Sequence, residues 1–135
     1  MAGMLHDIGE LVLASNFPGQ MAEVLTTADS VDTPLAELET AAFRAGHPEI
    51  GAYLLALWGL HDAVVEATAF HHRPTVLAER SRADVITAVH VANHLVRDAC
   101  GATSQAFAPL DRDYLESAGV LPLVDALLAE SRQVH

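Results

Sequence analysis

Apolar residues recur every three or four positions along almost this whole chain, and no stretch alternates apolar with polar for the length of a strand. That period puts one apolar stripe on each of a series of helices, and the breakers between them set their limits. Leu5, Ile8, Leu11 and Val12 predict a first helix ending near Ser15-Asn16. Pro18 opens a second through Met21, Val24 and Leu25, since a proline at the first helical position costs no hydrogen bond. Thr33-Pro34 starts a third, followed by Leu35, Leu38, Ala41 and Ala42. His47-Pro48 starts a fourth with Ile50, Leu54, Leu55 and Trp58, and Gly59 ends it in a left-handed turn. A fifth runs from about Asp62 to His71 and is closed by Arg73-Pro74.

The strongest helix begins at Ser81, with Asp84 closing a capping-box variant, and passes Val85, Ile86, Val89, Ala92 and Val96 to a stop at Gly101. A loop over 103–109 and two short helices, about 111–118 and 122–132, complete the chain. The expectation is an all-α, compact bundle of about seven or eight helices, one domain over residues 1–135.

Composition narrows the function classes. Seven basic residues, all arginine, face 18 acidic ones, for a formal net charge of −11. A nucleic-acid binder needs a basic footprint for phosphates, and an anionic membrane surface needs the same. The longest apolar run, Ile50 to Leu60, is too short to span a bilayer, which takes about 20 residues. No basic-then-apolar leader opens the chain, and its single cysteine, Cys100, cannot form an internal disulfide. A reducing cytoplasm is the expected compartment.

The candidate chemistry is in the histidines, at positions 6, 47, 61, 71, 72, 90, 94 and 135. His6-Asp7 places an imidazole beside a carboxylate on an apolar helix. That is a compact pair of ligands for a divalent metal, or a helix-surface pair with His6 in solvent. His47 opens a helix, where it can be a cap and nothing more. His71-His72 sits at a helix C-terminus, a position the dipole favours for histidine, yet two rings at a loop edge can also enter one cleft. His90 and His94 share a helix face and could bind one metal, although a partly exposed, unliganded His94 is the simpler reading. His61-Asp62 repeats the first dipeptide in a turn, with Asp62 expected as the helix cap. No glycine-rich phosphate loop and no activated nucleophile stand out.

The order of these pieces is more specific than any one of them. Met4-Leu5-His6-Asp7-Ile8-Gly9 precedes an acidic helix, Glu37-Leu38-Glu39. Gly46-His47-Pro48-Glu49-Ile50-Gly51-Ala52 and Leu54-Leu55-Ala56-Leu57-Trp58-Gly59-Leu60 follow, then His71-His72-Arg73-Pro74 and Val89-His90-Val91-Ala92-Asn93. Over about residues 3–97 this resembles the C-terminal part of an HDOD domain, the output-domain relative of the HD and HD-GYP metal phosphohydrolases. The resemblance implies metal ligands at His6, Asp7, His47, His71 and His72, and places Asn93 where a late aspartate ligand would stand. It implies a divalent metal (iron, manganese, zinc, nickel or magnesium), or a site left metal-free. An early ligand histidine would fall before residue 1, and Glu10 stands where the phosphohydrolases usually carry a lysine near the substrate phosphate. An amide at Asn93 is a weak neutral ligand, and a carboxylate at Glu10 repels phosphate.

The resemblance also implies a bacterial signal-transduction module, joined to receiver or cyclic-dinucleotide-related domains or proteins, with a degenerate metal site and no catalysis. A metal-dependent phosphohydrolase is the alternative, and histidines that only cap helices and fill polar pockets are a third. The loaded first helix, with nothing before it, leads to two further expectations: that the chain is the C-terminal part of something larger, or that it buries the missing face by homodimerising.

Overall fold

A computed structural model describes residues 1–77, 84–99 and 108–131. The described residues are helical, with no strand, as the apolar period predicts. A one-turn segment, α1 (Ala2–Leu5), leads into eight longer helices. They are α2 (Ile8–Asn16), α3 (Pro18–Ala28), α4 (Leu35–Phe43), α5 (His47–Leu57), α6 (Asp62–Phe70), α7 (Val85–Ala99), α8 (Arg112–Ser117) and α9 (Leu121–Ser131). A 3-10 turn, Pro74–Leu77, follows α6. No helix among the described residues is long and apolar enough to cross a membrane.

Three apolar clusters hold these helices together. The central one joins Ala2 of α1, Leu55 of α5, Val64 and Ala67 of α6, and Ile86 and Val89 of α7. Leu55 and Ala67 are wholly buried at its centre. Burying a leucine side chain this fully is worth roughly 1.5–3 kcal/mol. The α3–α4 hairpin has its own cluster, Val24, Ala28 and Leu35, closed by Leu38, Ala42 and Phe43. In the third, Tyr114, Leu115, Val124 and Leu128 of α8 and α9 pack on Val91 and Leu95 of α7. The last two helices thus cover the outer side of α7.

Local chemistry departs from the sequence reading at several helix ends. The expected first helix is broken: Asp7 sits between α1 and α2 at φ −102°, ψ 16°. Leu11, expected on its apolar face, is 64% exposed, and Gly9 and Leu13 are buried instead. His61, not Asp62, caps α6, its Nδ1 accepting from the Ala63 amide at 3.2 Å. Asp84 is itself the cap of α7, accepting from the Ile86 and Thr87 amides at 3.0 and 3.2 Å. The expected start at Ser81, the stop at Gly101, and Cys100 and His135 lie outside the described residues. Among the described side chains of α7, Ile86, Thr87, Val89 and His90 are buried, while Ala92 and Val96 face solvent. Gly59 does adopt the left-handed turn, at φ +72°.

Candidate metal centre

The break at Asp7 builds the site. An aspartate at a helix start ordinarily turns its carboxylate onto the first amides. Here it makes no such bond, and the carboxylate is left to face the histidines. The turn is anchored by the Glu10 amide donating to the Asp7 carbonyl at 2.9 Å. Two residues on, Gly9 lets α2 rest directly on the start of α5. A Cβ on Gly9 would lie 2.1 Å from the His47 carbonyl oxygen.

Three histidines are then held in the same way. His6 Nδ1–H donates to the Gly3 carbonyl at 3.0 Å. His71 Nδ1–H donates to the Thr68 carbonyl at 2.8 Å. His47 Nδ1–H donates to Glu39 Oε2 at 2.6 Å. Each acceptor lacks a proton, so each ring carries its proton on Nδ1 and, when neutral, presents the bare lone pair of Nε2. Those lone pairs converge. His6 Nε2 lies 2.9 Å from Asp7 Oδ2, and His71 Nε2 lies 3.3 Å from Asp7 Oδ1. His47 Nε2 lies 2.9 Å from His72 Nε2 and 3.7 Å from Asp7 Oδ1.

This arrangement fits a cation. Nε2 of His6 and of His71 are buried and make no hydrogen bond of proper geometry, although a carboxylate oxygen stands close to each. Lone pairs turned toward a carboxylate repel unless positive charge lies between them. Ligand atoms of His47, His71 and His72 lie within 4.8 Å of one another, as do those of His6, Asp7 and His71, and those of Asp7, Glu10 and His47. Imidazole nitrogens and carboxylate oxygens with anchored Nδ1–H groups are the donor set of a divalent transition-metal site.

The electrostatics agree. Burial opposes charge on Asp7, but its contacts with His6 and His71 override that and hold the carboxyl well below the usual carboxylate range. Burial likewise opposes charge on His6, yet the Asp7 carboxylate beside it raises it on balance. His47 is raised against its burial by the bond to Glu39 and the charge of that carboxylate. His72, buried and beside His71 and His47, is pushed down to about 2 and stays neutral. A cluster that draws protons to His6 and His47 draws a divalent cation for the same reason, and uptake of one displaces the other.

A cavity of about 1000 Å³ opens directly on Asp7, His47 and His72. Carboxylates dominate its charged wall: Glu10, Glu37, Glu49, Asp111 and Asp113 all line it. Burial raises the pKa of Glu10. Two arginines also line the cavity, and both are already paired. Arg73 meets Glu49 at 3.4 Å, and Arg112 makes a bidentate pair with Asp125 at 2.9 Å for each bond.

All six residues singled out from the sequence reach this region. His6, Asp7, His47, His71 and His72 form the cluster. Asn93 of α7 lines the cavity beside Asp7, Glu10 and His72. His47 is no mere cap: it is the first residue of α5, with its ring turned inward and 2% exposed. His90 does not join His94 around a metal. Its Nδ1–H donates to the His71 carbonyl at 2.6 Å and its Nε2 accepts from the Asp111 amide at 3.0 Å, so one nitrogen holds the His71 turn and the other the start of α8. Glu39 is the participant that the motif reading left out. Its signal was the spacing Leu35, Glu39, Ala42, which sets a carboxylate on the buried stripe of α4.

A family model for the HDOD domain matches residues 1–74, the segment that carries five of the six residues. The chain belongs to the HDOD family. An uncharacterized protein of Treponema pallidum (strain Nichols) is 31% identical over 103 residues, 76% of this chain and 20% of that protein. The chain therefore spans about a fifth of the length of that relative. No solved structure matches it. In this HDOD chain Asn93 lies beyond the matched segment, and it is the packing of α7 that carries it to the cluster.

Proposed function

We propose that this HDOD chain is a regulatory module of bacterial signal transduction, in which a divalent metal at His6, Asp7, His47, His71 and His72 serves structure or sensing and not turnover. The observation that carries this reading is the charge of the cavity wall beside the cluster. A phosphoester needs positive charge to receive it, and phosphohydrolase sites supply lysine or arginine for that purpose. Among the described residues the cavity offers Glu10 close to His47, and each of its two arginines is paired with a carboxylate, Glu49 or Asp125. Asn93 supplies an amide where a charged ligand would complete a catalytic metal site.

A bound metal would supply Lewis acidity and could lower the pKa of a bound water. That is the basis of the second reading, a metal-dependent phosphohydrolase, favoured by the direct opening of the cavity onto Asp7 and His72. The partners that fit the first reading are receiver or cyclic-dinucleotide-related domains and proteins, or a second copy of the chain, in the cytoplasm. Tyr53 and Leu57, one turn apart on α5, are 70% and 66% exposed and offer such partners an apolar contact. The acidic balance disfavours nucleic acid and anionic membranes.

The test is metal analysis of protein purified without chelator or affinity tag, with hydrolysis of bis(p-nitrophenyl) phosphate and cyclic dinucleotides measured on the same sample. Bound metal without turnover supports the proposal. Turnover that vanishes in Asp7→Ala establishes the phosphohydrolase instead.

A further inference from the structure

The side chain of Glu39 has no contact with solvent, on a helix whose other buried residue is Leu35. Removing a carboxylate from water costs several kcal/mol unless its oxygens are satisfied. Oε2 is satisfied twice, by the His47 backbone amide at 2.7 Å and by His47 Nδ1–H at 2.6 Å. Oε1 is buried without a hydrogen-bond partner. A leucine would fill this space at lower cost, so core packing does not explain an acid here. Capping α5 does not explain it either. Glu49 already accepts from the Gly46 amide at 3.1 Å, and a neutral side chain could accept from the His47 amide as well.

What only the acid does is fix the ring. A carboxylate cannot donate, so it forces the His47 proton onto Nδ1 and turns Nε2 toward His72 and Asp7, at 2.9 and 3.7 Å. Its charge also makes that nitrogen a stronger donor to a metal. His6 and His71 are held by neutral backbone carbonyls, so His47 is set apart from the other two anchored rings by the charge on its anchor.

We propose that Glu39 is a positioning residue for the metal centre, the buried carboxylate that selects the tautomer of His47 and strengthens its Nε2 as a ligand. This rests on the metal reading of the cluster above. Glu39 touches no metal itself and acts only through His47. Because it belongs to α4, it also ties the separately packed α3–α4 hairpin to the centre.

The experiment compares the full chain with Glu39→Gln and Glu39→Asp. Histidine ring ¹⁵N spectra at alkaline pH read the tautomer without metal, and calorimetry reads Mn(II) binding. In the wild-type chain His47 carries its proton on Nδ1. Glu39→Gln shifts it toward a mixed tautomer and weakens Mn(II) about 10–100-fold, the usual cost of losing such a partner. Glu39→Asp retains part of both. A wild-type His47 protonated on Nε2, or Glu39→Gln binding Mn(II) as tightly as the wild type, overturns the role of Glu39. A wild-type chain with the Nδ1 tautomer but no Mn(II) uptake overturns the metal reading and leaves the orienting role of Glu39 standing.

Discussion

Gly9 and His47 meet backbone to backbone, and the space between α2 and the first turn of α5 admits only a hydrogen. A Cβ at Gly9 would fall 2.1 Å from the His47 carbonyl oxygen and 2.8 Å from its Cα. The obstacle is backbone, which cannot swing aside as a side chain would. Gly9→Ala must therefore push α2 away from α5 and carry Asp7 away from His47. We expect a loss of about 3 kcal/mol or more, the upper end of the cost of overpacking. Urea unfolding measures this loss, and Mn(II) binding should weaken in parallel. An alanine variant with unchanged midpoint and unchanged metal uptake would contradict the contact.

Much of this was readable from residue order. The helices were legible because each apolar stripe is punctuated by a proline, a glycine or a capping side chain. Five of the clustered residues were legible because they come in dipeptides or at a helix start, places where the chain has no packing reason to put paired rings. Glu39 was harder, since an acid in an amphipathic helix is ordinarily a solvated one, and its burial depends on a ring that arrives from α5. The break at Asp7 left no mark either, because the side chains its carboxylate faces, His47 and His71, arrive from distant parts of the chain. Val96 misled for a related reason. α7 serves two apolar clusters, through Ile86 and Val89 on one side and Val91 and Leu95 on the other, so its stripe is not a single face.

Asn93→Asp tests the degenerate position. The side chain of Asn93 is half-buried and lines the cavity with Asp7 and His72. A carboxylate there adds negative charge to a cavity that Asp7 and Glu10 already line. In the metal-free protein this is like-charge repulsion, so the variant should melt lower than the wild type. With Mn(II) present the same charge becomes a ligand, and affinity should rise roughly tenfold, about 1.4 kcal/mol. Thermal melts with and without Mn(II) should change in opposite directions. Equal binding by the two proteins would place Asn93 outside the coordination sphere.

His90 should give the stability a pH dependence of its own. Burial, the largest influence, lowers its pKa from the ordinary 6.5, and Nε2 must stay unprotonated to accept from the Asp111 amide. The folded chain therefore binds this proton less readily than the unfolded chain. The stability it contributes is complete above 6.5 and is lost as pH falls through the lowered folded pKa, with a slope of up to about 1.4 kcal/mol per pH unit. His6 and His47 act in the opposite sense, since their raised pKa values add stability below 6.5 that disappears as pH rises. The comparison with His90→Gln, whose amide oxygen can still accept from Asp111, isolates the His90 contribution. In chelator, the variant should lose about 1 kcal/mol at neutral pH, the net worth of one hydrogen bond. It should also show a shallower acid slope. Parallel slopes for the two proteins would refute the assignment.

Glu10→Lys addresses the cavity itself. Glu10 Oε1 stands 3.8 Å from His47 Nδ1, and its side chain lines the opening. The wall there is acidic, and Arg73 and Arg112 are held by Glu49 and Asp125. Substitution by lysine removes one negative charge and adds one positive charge at the mouth. At the effective dielectric of a partly buried site, a single such interaction is worth roughly 1–4 kcal/mol. Inorganic phosphate should therefore bind the Mn(II)-loaded variant at least tenfold more tightly than the wild type. Mn(II) itself should bind the variant more weakly, because a nearby carboxylate has become a like charge. Calorimetric titration of each protein with phosphate reads the first effect, and titration with Mn(II) reads the second. A wild-type chain that already binds phosphate as well as the variant would mean that Glu10 does not govern entry. In that case the electrostatic argument against phosphoester turnover would fail with it.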